Sequence, residues 1–145
     1  MHTEHLQNVG FGRVLVGWVV AVAATSFVLL VLAAFDALPL TGDEAWWSVL
    51  AAAVGFLAGG FYAGFRAMQA PILHGVAIAL MSLLAWLLLN LIIFGLAGRE
   101  SWHGLTPTLT LFIMLVMIAA AVVGALLGYN LAVVGKPSLS EHEPL

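Results

Sequence analysis

His74 and His103 are the side chains in this chain best placed to ligate a haem iron, a chlorophyll or another metal, because an imidazole nitrogen is the usual axial donor to such groups. His74 opens a long apolar run, and His103 sits in the loop before the last such run. They therefore fall at opposite faces of a membrane and cannot share one iron. Each would act as a lone fifth ligand, or in the plainer role of a locally hydrogen-bonded interfacial histidine. The other histidines, His2, His5 and His142, lie in polar tails. No cofactor is required by the sequence; lipid, pigment and haem all stay open.

A second constellation runs along one apolar segment. His74, Ser82, Trp86 and Asn90, with Ile78 between, are spaced by multiples of four and so share one slowly drifting helix face. In hydrocarbon an unsatisfied amide is expensive, so Ser82 and Asn90 are expected to face protein. The stripe reads either as interhelical hydrogen bonding or as the polar lining of a ligand site or narrow path.

Glycines form the third pattern. Gly55-x3-Gly59, Gly60-x3-Gly64 and Gly124-x3-Gly128 have the spacing that lets helix backbones approach closely. They serve either packing within one subunit or a face for another subunit or a flat ring. Ala51-Ala52-Ala53-Val54-Gly55 with Gly59 also echoes Ala119-Ala120-Ala121-Val122-Val123-Gly124 with Gly128, which suggests two similar hairpins. Arg66, with Gln69 close by, ends the second apolar run. It would grip a lipid phosphate or a partner's carboxylate, or anchor the span by snorkelling.

Other chemistry is missing from the sequence. Cysteine is absent, which excludes disulfides and thiolate metal sites. No Ser/His/Asp set, carboxylate pair, HExxH or phosphate loop is present. The acidic residues Asp36, Asp43, Glu44 and Glu100 all fall between apolar runs, whereas an ion-coupled transporter normally keeps a charge within the bilayer. The chain is expected not to be an enzyme. With a net charge of −3 and no basic cluster, it has no footprint for nucleic acid.

Four apolar stretches must position these residues: 14–35, 46–66, 72–94 and 109–131, free of charged side chains except for Arg66 at the end of the second. About 20 such residues rise roughly 30 Å as a helix, the hydrocarbon thickness of a bilayer. At 63% hydrophobic and 8% charged residues, the chain has more apolar surface than a soluble domain of this length can bury. The first stretch exceeds the roughly 7–15 residues of a signal-peptide core and is read as a retained span. The expected fold is all-α: one transmembrane domain over 1–145, an integral membrane four-helix bundle of two antiparallel hairpins.

The boundaries carry start and stop signals. Asp43 before Glu44 suits a helix start, Pro71 and Pro107 suit first helical positions, and Gly135 with Pro137 stops the last helix. Arg13, Arg66 and Lys136 fall on the side of the termini, and only Arg99 falls opposite. The positive-inside rule then places both termini in the cytoplasm. Trp46, Trp47 and Trp102 mark the outer interface, and Trp18, Tyr62 and Tyr129 the inner one.

The stretch Gly59-Gly60-Phe61-Tyr62-Ala63-Gly64-Phe65-Arg66-Ala67, followed by Leu73-His74-Gly75, resembles a GGxxAGxxA…LHG pattern of small prokaryotic four-span membrane proteins. Phe65 stands where that pattern puts a basic residue directly after glycine, and Arg66 is displaced by one. The resemblance covers about 20 residues and implies topology in a prokaryotic inner membrane, with no activity attached. Small multidrug exporters are similar in size but carry a Glu in their first span, and 14–35 has none.

The functional expectation is a non-catalytic accessory subunit that packs and stabilises a larger membrane complex, with other membrane subunits and lipids as partners. A small homo-oligomeric channel or transporter lined by the Ser82/Asn90 stripe is the second expectation. A pigment- or haem-binding subunit using His74 or His103 is the third.

Overall fold

The computed structural model describes residues 9–35, 44–67, 70–97 and 107–135. They form four helices: α1 (Phe11–Ala34), α2 (Glu44–Arg66), α3 (Pro71–Ala97) and α4 (Pro107–Val134). No strand occurs among the described residues. All four are long and apolar enough to cross a membrane, which makes this a multi-pass, all-α four-helix bundle.

The helix ends follow the local chemistry. Pro71 and Pro107 each take a first helical position, where the missing N–H leaves no bond unmade. Arg66 stands in the last turn of α2, where a positive charge meets the negative end of the helix dipole. Gly10 caps α1 in an extended conformation with no side-chain cap, and the N–H of Phe35 closes that helix on Val31 O at 3.2 Å. Asp43, Trp102 and Thr106 lie outside the described residues.

Successive helices run antiparallel, so α2 and α4 run parallel. Helix α2 is central and lies closest to α4 and α1. The core gathers Val14 and Ala21 of α1, Phe56 and Ala63 of α2, Ile78 and Ala79 of α3, and Ala121 of α4.

In α3 and α4 full burial is confined to one end of the bundle, whereas α2 stays buried as far out as Val49 and Ala51. Among the described residues, every buried position of α3 precedes Leu80, and every buried position of α4 lies at Ala121 or beyond. Those are the halves nearest the α2–α3 connection, called here the near end. Toward the far end, α3 exposes Leu87, Leu88, Leu89, Leu91, Ile92 and Ile93 in close succession, and only the stripe of Trp86 and Asn90 stays half-buried. The reason is compositional: the near half of α3 holds Gly75 and Ala79, which admit a neighbour's backbone, while the far half is dense with leucine.

Candidate functional site

The near end is built on a glycine seam. A Cβ on Gly60 would overlap the carbonyl oxygen of Ala121, and one on Gly64 that of Ala125. From the other side, a Cβ on Gly124 would overlap Leu57 O, and one on Gly128 would overlap Phe61 O. The glycines of the two helices therefore seat each helix on the other's backbone. Gly55 and Gly59 use a different face of α2: added Cβ atoms there would meet Ala21 O at 2.6 Å and Ala21 Cβ at 2.6 Å on α1. Gly75 of α3 approaches Ala121 O at 2.8 Å in the same sense.

All six singled-out glycines are thus spent inside this chain. Their packing role is direct, and none of them is left as a bare face for another subunit or a ring. The structure also shifts the register of the sequence echo. Gly60 and Gly64, not Gly55 and Gly59, are the counterparts of Gly124 and Gly128.

His74 sits beside this seam with none of its surface exposed. The N–H of Gly10 donates to His74 Nε2 at 3.3 Å, which makes Nε2 the acceptor. Nδ1 must then carry the proton, and it donates to Ala70 O at 2.9 Å. Ala70 O also accepts the His74 backbone N–H at 3.2 Å. The neutral ring is therefore satisfied at both nitrogens and ties the cap of α1 to the opening turn of α3. A haem iron needs the same Nε2 lone pair, so ligation at His74 requires the Gly10 bond to open.

Ala70, which supplies that carbonyl, has φ +52°, the left-handed region that a residue with a Cβ avoids. It immediately precedes Pro71, whose ring narrows its choices further.

His74, Ser82, Trp86 and Asn90 do not act together. Asn90 donates its amide to Trp86 O at 2.8 Å, within its own helix, rather than to a neighbouring helix as expected. Asn90 is half-buried, between the exposed Leu89 and Leu91, and its amide is satisfied within its own helix. Ser82 and Trp86 instead line a groove between the far halves of α3 and α4, with Leu83, Thr110, Met114 and Met117. The groove encloses about 160 Å³. No hydrogen bond of the Ser82 hydroxyl or the Trp86 indole forms among the described residues. The spacing of Ser82 and Trp86 marks them in the sequence, whereas Met114 and Met117 carry no signal beyond that of apolar gap-filling residues.

A second trough, of about 340 Å³, runs between α1 and α3, lined by Phe11, Val14, Met81 and Leu84 with Val9 and Ala77. Its lining side chains are all apolar. The indole Nε1 of Trp18 is buried without a hydrogen-bond partner among the described residues.

Arg66 is exposed at the near end, its guanidinium carbon 6.0 Å from the centre of the Tyr62 ring. Gln69 and His103 lie outside the described residues. Among the described residues, no three of His, Asp or Glu converge as metal ligands.

No known protein family, curated protein or solved structure matches this chain. Function has to be read from the geometry alone.

Proposed function

We propose that this chain is a non-catalytic accessory subunit of a larger membrane complex, held in a prokaryotic inner membrane with both termini in the cytoplasm. The observation that carries this reading is the far half of α3. Leu87, Leu88, Leu89, Leu91, Ile92, Ile93 and Leu96 are all exposed, and they leave only the narrow stripe of Trp86 and Asn90 half-buried. A bundle that stands alone packs at least one stripe of each helix against its neighbours. A half-helix with no fully buried position among its described residues fits a protein whose neighbour comes from another chain.

Three further features support the reading. At the near end the imidazole of His74 is consumed in holding the chain together, on Gly10 and Ala70. The glycine seam makes the near end a rigid wedge. Arg66 stands at the boundary, where a lipid phosphate or a partner's carboxylate would meet it.

The natural absence of cysteine permits a clean test. A single Leu91→Cys variant carrying a photo-crosslinker is expressed in the native membrane. The expected result is a discrete adduct with one other membrane protein, together with co-purification of that protein in mild detergent. Adducts with lipid only, and a small homogeneous particle on purification, would overturn the reading. An absorption spectrum of the same preparation reports any haem or pigment.

A further inference from the structure

The groove between the far halves of α3 and α4 differs from the α1–α3 trough in its chemistry. The trough offers no polar side chain, so it is space for an acyl chain. The groove brings together an indole, two thioethers and the hydroxyls of Ser82 and Thr110. Ser82 is roughly 16 Å along α3 from Pro71, close to the middle of a span. A hydroxyl at that depth has no water to turn to, and leaving one unpaired in hydrocarbon is unfavourable.

The shape of the site restricts what can answer it. Its volume of about 160 Å³ is close to the ~150 Å³ of a dry apolar cavity that accepts benzene, so it holds one six-membered ring. Its lining suits a flat ring: Trp86 can stack, and the sulfurs of Met114 and Met117 favour aromatic edges. The indole N–H is a donor only, and the Ser82 hydroxyl has a proton to give. A matching ligand therefore brings an acceptor on a flat ring and arrives through the hydrocarbon.

We propose that this groove binds a single-ring quinone dissolved in the bilayer, its ring against Trp86, Met114 and Met117 and one carbonyl accepting a hydrogen bond from Ser82. The alkyl tail leaves the open side of the groove into the hydrocarbon. This site does not depend on the accessory-subunit reading, since the groove is formed within one chain.

The test uses the full chain in lipid nanodiscs titrated with decylbenzoquinone, with empty nanodiscs setting the background of free partitioning. Tryptophan fluorescence quenching is the readout. The expected result is a saturable component absent from empty discs and absent in Trp86→Phe. Ser82→Ala should weaken it about tenfold, and Met114→Phe, which fills the groove, should abolish it with the helical circular dichroism unchanged. If Met114→Phe fails to fold, Ser82→Ala with Trp86→Phe still decides. Purely linear quenching would overturn the proposal, as would saturable binding indifferent to Ser82→Ala and Trp86→Phe. Equal displacement by decylbenzene, which has ring and tail but no carbonyl, would overturn the carbonyl assignment. Failure here leaves the Leu91 crosslink untouched, and a missing crosslink leaves this groove untouched.

Discussion

Gly60 of α2 and Gly124 of α4 do the same thing for one another's helix. A Cβ on the first would strike the Ala121 carbonyl, and a Cβ on the second would strike the Leu57 carbonyl. The sequence separation between Gly60 and Gly124 is also that between Gly64 and Gly128 and that between Leu57 and Ala121. The contact is therefore reciprocal about an axis running along two parallel helices, the symmetry of a parallel repeat. With lipid as solvent, such close approach is what holds helices together, since no hydrophobic difference between lipid and leucine drives them.

Gly124→Val should destroy this seam. A branched side chain forced against the Leu57 backbone costs at least about 3 kcal/mol, because backbone cannot step aside as a flexible side chain can. The converse holds at Gly95, where an added Cβ meets nothing within 4 Å. Gly95→Ala should raise stability by up to about 1 kcal/mol through helix propensity. Unfolding midpoints of the two variants in mild detergent check both signs, and equal behaviour would contradict the seam.

His74→Phe keeps the ring volume but strips Gly10 N–H and Ala70 O of their partner. The expected loss is about 1–3 kcal/mol, with the first turn of α1 exchanging its amide hydrogens faster while the α2–α4 seam stays protected. Hydrogen-exchange mass spectrometry resolves the two regions. Uniform loosening would mean that His74 supports the core generally rather than the Gly10 end.

Ala70→Gly should stabilise the chain by about 1 kcal/mol, since glycine takes φ +52° without the penalty that alanine bears there. A fall in the thermal midpoint would show that the left-handed turn is not the conformation this connection holds.

Asn90→Leu should change stability by less than about 0.5 kcal/mol. Its amide serves only its own helix at Trp86 O, so no interhelical bond is lost; such a bond averages ~0.6 kcal/mol in membranes. A larger loss, read from the same unfolding curves, would place a partner on Asn90.

Much of this was legible in the residue order. The four charge-poor stretches set the number of helices, because a charge in hydrocarbon is costly and about 20 apolar residues match a bilayer. Pro71 and Pro107 marked two helix starts, because only a first-turn position tolerates a missing N–H. Even the two faces of α2 can be read. Gly55 and Gly60 lie five residues apart and so about 140° apart around the helix, which calls for two different close neighbours.

The sequence could not say who those neighbours are. Small-residue spacing is the same whether the facing backbone belongs to this chain or another, and only the tertiary arrangement assigned Gly55 and Gly59 to α1 and Gly60 and Gly64 to α4. The same limit applied to His74 and Asn90. An imidazole or an amide at fixed spacing has several partners within reach, and long-range packing chose Gly10 for one and its absence left Trp86 O for the other. Periodicity determines which residues share a face. What covers that face depends on how far each pair of helices can close, and here glycine and alanine close the near end while leucine holds the far end open.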